Sequence, residues 1–230
     1  MRFQDAAPDA RAIVYAGIQA DPTVSRAALL LADATYEQRL LARAVMNGES
    51  TDPAAWRAIF PSLFGGSGDG AAPPDLEHSE AILAASLAVA DRGEQARSQY
   101  RGAIVESVTE LLLRRAHGAE GATAVRRERR VLFDGVRAEI HPYDVTVEVA
   151  GSAAAVDCKW GARGISADVL YQLEDARTHA ADEDDESLSV ILVVFDAQRS
   201  CSVRLDRQTA PHEGTRFVSI ETLDDLAASR

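Results

Sequence analysis

The chain of 230 residues is 47% hydrophobic and 26% charged, with a formal net charge of −12. That size supports one sizeable core, or one core with a small helical appendage, and the balance is that of an ordinary globular protein. No apolar run reaches the length of a membrane span, no charged-then-apolar leader opens the sequence, and two cysteines cannot make a disulfide framework, so a cytoplasmic, membrane-free protein is expected.

In chain order, the first 64 residues read as short helices. Asp21-Pro22 opens one by the N-cap and first-turn-proline rule. A second starts near Thr35, carries Leu40, Leu41 and Val45, and stops at Asn47-Gly48. Asp52-Pro53 opens a third, which buries Trp56 and Phe60 and ends before Pro61. The run from Gly65 to Gly70, followed by Pro73-Pro74, reads as a flexible linker. Beyond it the periodicity predicts a helix over 75–91 capped by Asp75, then a longer one over 94–117 ended by Gly118. Short β-prone runs follow at 129–133, 145–149 and 153–160, then a helix over 166–180 and an acidic loop. The run LSVILVVF at 188–195 is the strongest strand and is apolar enough to be covered on both faces. Two more short strands are expected at 201–205 and 216–218, and a capped helix over 219–228. The division is therefore a helical N-terminal region, 1–74, and a mixed α/β domain, 75–230.

Charge and residue usage sharpen this picture. The net negative charge opposes a broad grip on nucleic acid, which wants a basic surface. Yet the acids concentrate at 182–186, which reads as a solvated loop, while Arg114, Arg115, Arg126, Arg127, Arg129, Arg130 and Arg137 crowd one stretch. Of the 24 basic residues, 23 are arginine and one is lysine, Lys159. A lone lysine in an arginine background points to a position needing a compact ammonium rather than a planar fork. Cys158 and Cys201 read as small buried hydrophobes.

The informative stretch runs from Asp144 to Lys159. Gly151-Ser152 is a legitimate two-residue hairpin turn, with Gly first as the II′ form prefers. That turn sets Ala150 opposite Ala153, Thr146 opposite Asp157 and Asp144 opposite Lys159. Opposed residues share a face and side chains alternate, so Asp144, Asp157 and Lys159 project from one face. Val145, Val147, Val149, Val156 and Cys158 project from the other, the core side. Two carboxylates beside an ammonium suit metal-assisted phosphodiester hydrolysis, because they offer hard oxygen ligands to Mg²⁺ (or Mn²⁺). The lysine would orient the attacking water or stabilise charge on the phosphate. The plainer alternative is a cross-strand ion pair on a surface hairpin.

Asp144, then Asp157-x-Lys159 one hairpin later, resembles the PD-(D/E)xK nuclease superfamily, whose restriction-endonuclease-like core runs helix, three strands, helix, strand. The element order over residues 94–196 is similar, and the resemblance covers about half the chain. It implies an α/β fold, a mixed sheet flanked by helices, and says nothing about residues 1–74, which the residue pattern alone reads as an all-helical N-terminal region. It implies a Mg²⁺-dependent nuclease with Asp144, Asp157 and Glu106 as metal ligands and Lys159 and Gln172 completing the catalytic set. Glu106 stands in GAIVE on the first core helix, with Glu110 one turn later in reserve, and Gln172 stands on the helix after the lysine strand. Tyr143 occupies the place that names the motif's proline. Arg126, Arg127, Arg129, Arg130 and Arg163 are candidates for gripping phosphates, and His141 for approaching the site. DNA stands ahead of RNA as substrate, acted on in restriction, anti-phage defence or repair. A homodimer or larger complex through the N-terminal helices is expected to supply grip that the acidic surface lacks. The competing readings are an RNA-cleaving nuclease and a catalytically idle domain that binds protein.

Overall fold

In the computed structural model, residues 2–5, 10–65, 73, 75–121, 124–133, 136–137, 142–149, 152–182 and 188–228 are described. The chain's contacts group it into two compact units, Arg11–Val108 and Met1–Ala10 with Thr109–Arg230. Residues 75–108 therefore belong with the helices rather than with the α/β segment, and the boundary falls inside a helix instead of at the Gly/Pro-rich stretch.

The helical unit holds α1 (Ala10–Gln19), α2 (Pro22–Ala32), α3 (Tyr36–Asn47), α4 (Pro53–Ile59), α5 (Pro61–Phe64), α6 (Leu76–Ala90) and the first part of α7 (Glu94–Gly121). Local chemistry sets several boundaries. Asp21 accepts the Thr23 amide at 2.7 Å, and Thr35 and Gln38 form a reciprocal capping box at the start of α3. Asp52 accepts the Ala54 amide at 2.9 Å. Asp75 makes no side-chain cap, contrary to expectation, and Pro61 opens the short α5 rather than only ending α4. Helices α2, α3 and α6 bury Leu31, Leu41, Met46, Ile82 and Leu83 among themselves. Gly118 departs from helical geometry at φ 64, so α7 breaks where the sequence predicted its end.

The α/β unit is built on one mixed sheet. Its strands are β1 (Arg2–Asp5), β2 (Val125–Phe133), β3 (Val136–Arg137), β4 (Tyr143–Val149), β5 (Ser152–Lys159), β6 (Leu188–Val194) and β7 (Arg216–Val218). Six of them stand in the order β1-β2-β4-β5-β6-β7, and β3 pairs with β2. Each of the first four in that row is antiparallel to its neighbour in that group, whereas β5–β6 and β6–β7 are parallel. The parallel step needs a crossover, which α8 (Ala167–Asp182) supplies. Helix α8 packs Leu170, Leu173 and Ala176 on Ala155, Val190, Leu192 and Val194. Val145, Val147, Val156 and Cys158 are buried on the other face, where the Cys158 thiol lies 3.5 Å from Thr109 Oγ1 of α7. Strand β6 is thus covered on both faces, as its apolar run requires.

Three expectations fail here. The first residues pair as β1 along β2, although they are 126 residues away in sequence at the Phe3 carbonyl–Arg129 contact. Residues 201–205 lie in helix α9 (Gln198–Leu205), not in a strand. Glu221 caps α9 by accepting the Gln198 amide at 2.9 and 3.0 Å, a partner that no local pattern reveals. The C-terminal helix shrinks to α10 (Asp225–Ala228). Among the described residues, no helix is long and apolar enough to cross a membrane.

Candidate active site

The hairpin forms, but with a different turn. Ser152 pairs with Val149, and the register continues through Glu148–Ala153, Thr146–Ala155 and Val145–Val156. The loop positions are therefore 150 and 151, which lie outside the described residues, and Ser152 belongs to the strand. Every opposed pair is two residues away from the expected one. A shift of two preserves the face of each side chain, so the alternation of apolar residues is equally satisfied by both registers. Carried one pair beyond Val145–Val156, the register brings Asp144 level with Asp157 rather than Lys159.

At that point a side chain takes over from the backbone. Asp144 Oδ2 accepts the Cys158 amide at 2.6 Å, which ties the first carboxylate to the Asp157–Cys158 peptide. Lys159 Nζ pairs with Asp157 Oδ1. The Asp157 side chain is 9% exposed and that of Lys159 26%, so the pair is largely withdrawn from water. This corrects the picture of an open polar face. Helix α8 covers that face, and Lys159 at the C-terminal end of β5 stays partly accessible. Burial is the largest single influence on the Lys159 ammonium and acts to lower its pKa. The Asp157 and Asp144 charges, with the Asp157 hydrogen bond, outweigh it and hold the pKa above the ordinary lysine value.

Tyr143 and Gln172 frame the site. The Tyr143 side chain is 1% exposed, and its hydroxyl donates to the Gln172 carbonyl of α8 at 3.2 Å. Burial first, then the neighbouring Asp157 charge, pushes its pKa well above the ordinary tyrosine value, so it stays a neutral donor. The hydrogen bond fixes the start of β4 to the turn of α8 that carries Gln172. The sequence marked Tyr143 only as a departure from a motif. Its signal was a large amphipathic ring directly before a half-buried carboxylate.

The remaining candidates fall in varied settings. Glu106 belongs to the helical unit, where it is 5% exposed and accepts from Tyr15 Oη at 2.5 Å and Gln19 Nε2 at 2.7 Å. Neither partner is legible in sequence, because both sit on α1, about 90 residues upstream. Glu110 pairs with Arg114 at 2.7 Å and with Arg127 at 2.5 Å. Arg129 is buried between Asp5, Glu148 and the Phe3 carbonyl, so it fastens β1 to the sheet. Arg126 and Arg163 are exposed, Arg130 is half-buried, and His141 lies outside the described residues.

Among the described residues, no group of three or more His, Cys, Asp or Glu side chains is arranged to hold a metal ion. The Asp144–Asp157 pair nonetheless fits Mg²⁺ by donor chemistry. That ion takes one or two carboxylates, keeps several waters and accepts substrate phosphate oxygens. The chain was compared with family models and with curated proteins, and neither comparison gives a match.

Proposed function

We propose that this protein is a metal-dependent nuclease of the restriction-endonuclease-like type, acting in the cytoplasm on DNA in restriction, anti-phage defence or repair. The observation that carries this reading is the Asp144 carboxylate on the Cys158 amide, which gathers two acids and the only lysine at the end of one hairpin. The succession α7, β2, β4, β5, α8, β6 supports it, with the two-residue β3 as an addition. Asp144 and Asp157 would hold Mg²⁺ (or Mn²⁺), which supplies a polarised phosphate and a bound water of lowered pKa. Lys159 is held cationic beside them, ready to stabilise charge that develops on phosphate oxygens. Covering helix α8 keeps the local dielectric low, which strengthens each of these interactions. Exposed Arg126 and Arg163 would contact the sugar–phosphate backbone.

The test is cleavage of supercoiled plasmid, linear duplex, single-stranded DNA and single-stranded RNA with Mg²⁺ or Mn²⁺, against EDTA and Lys159→Ala. Metal-dependent DNA cleavage that disappears in the variant is the expected result. Cleavage of RNA alone would reassign the substrate. Absence of cleavage, together with no Mg²⁺-induced thermal shift that depends on Asp157, would leave a protein-binding domain instead.

A further inference from the structure

Beyond Lys159 the chain folds back on that same side chain. Strand β5 ends at Lys159, and the 3₁₀ turn Ala162–Gly164 follows before α8. A Cβ added to Gly164 would lie 2.9 Å from Lys159 Cβ and 3.0 Å from its Cγ and Cδ. Those atoms are the root of the lysine side chain, so they cannot yield without redirecting the ammonium. Gly164 has no positive φ, and what demands glycine there is space.

The turn is itself fastened from behind. Asp196 is 7% exposed, and its two carboxylate oxygens accept the Ala162 amide at 2.9 Å and the Ala197 amide at 2.8 Å. The Phe195 amide donates to the Lys159 carbonyl at 2.8 Å. Trp160 stacks on Phe195 with ring centroids 5.0 Å apart, and Arg204 Nε donates to the Ile165 carbonyl at 2.9 Å. A lysine stem has four rotatable bonds and would otherwise spread its charge over many positions. A backbone wall on one side, held in place by a buried carboxylate, removes much of that freedom.

We propose that Gly164 and Asp196 are positioning residues for Lys159, Gly164 by walling its stem and Asp196 by holding the turn against it. The catalytic consequence rests on the nuclease reading, whereas the positioning does not. Because Lys159 is the only lysine, protein made with ¹³C,¹⁵N-lysine gives one set of lysine side-chain resonances. In the wild type these are expected well away from free-lysine values, with inequivalent Hε protons. Gly164→Ala should move them and lower turnover about 10- to 100-fold, with KM little changed. Asp196→Asn adds no bulk but forfeits an acceptor, and should shift the same resonances with a smaller loss. It also carries the test if Gly164→Ala does not fold. A third arm compares the Tm lost to Gly164→Ala with Lys159 present and in Lys159→Ala, which removes two of the three crowded atoms, Cγ and Cδ, so that the penalty should shrink. Lysine resonances unchanged in both variants, or an equal Tm penalty in the two backgrounds, would overturn the proposal. Should the wild type cleave nothing, the nuclease reading fails while the resonance and thermal arms still decide the positioning.

Discussion

Lys159 pairs with Asp157 and also feels the Asp144 charge, and its removal should be visible without any assay of activity. Lys159→Met keeps the stem and removes the charge, leaving Asp157 without its ammonium partner beside Asp144. Since both members of the Lys159–Asp157 pair are mostly hidden from water, we expect a loss of about 2 kcal/mol, between the values for surface and buried pairs. Mg²⁺ should then raise Tm more in the variant than in the wild type, because it relieves a repulsion the wild type does not have. Thermal unfolding with and without MgCl₂ measures both effects, and an equal Mg²⁺ shift in the two proteins would contradict the arrangement. Face alternation and the singular lysine singled out this trio in the sequence, and the structure brings the three residues together. The sequence did not reveal the Asp144–Cys158 amide bond, which depends on a register that alternation leaves two residues uncertain.

Among the elements, the N-terminus of α2 shows how a readable local signal acquires non-local support. Asp21 accepts the Thr23 amide as the sequence predicts, but it also accepts from the Tyr100 hydroxyl of α7 and lies 3.6 Å from Arg92. The Tyr100 hydrogen bond, followed by the capping amide, holds its carboxyl below the ordinary value of 3.8. A pKa lowered by folding means stabilisation that is complete above the unfolded value and lost as pH falls through the folded one. Asp21→Asn keeps a competent cap without the charge. Its Tm deficit should therefore be greatest near neutral pH and fade as pH falls below 3.8. A deficit constant from pH 7 to pH 3 would show that Asp21 acts only as a cap. Gly48 gives a complementary lesson. It ends α3 as expected, yet with extended φ of −74, and an added Cβ would meet Trp56 Cζ2 at 2.6 Å. The glycine is there for room beside the indole, which periodicity could not reveal.

Two expectations belong to the molecule as a whole. Phe3 is 5% exposed within the α8-side core, although it arrives on the edge strand β1 from the far end of the chain. Phe3→Ala should cost about 3 to 5 kcal/mol, as for other buried aromatic truncations. A loss under about 1 kcal/mol in urea unfolding would show that β1 is dispensable. The second concerns charge. The net charge is −12, and within the basic stretch Arg127 and Arg129 are already paired to acids. If Arg126 and Arg163 make the phosphate contacts, log K against log salt should fall with a slope of about −2. Fluorescence anisotropy with a Lys159→Ala protein in EDTA would measure it. A slope near −6 or steeper would reveal a basic surface other than these two arginines.

Caps, proline positions and hydrophobic period sufficed to determine most helices from α2 to α8, the central strand β6, and the face on which Asp144, Asp157 and Lys159 stand. All of these are properties of neighbours a few residues apart, where side-chain type acts directly on backbone geometry. Tertiary structure alone decided the rest. The hairpin register changes by two without disturbing any buried face. Strand β1 pairs across much of the chain, Glu221 caps α9, and α1 brings Tyr15 and Gln19 to Glu106. Each of these is a hydrogen bond or ladder whose second member is distant in sequence, so its energy is realised only after the chain has folded back on itself.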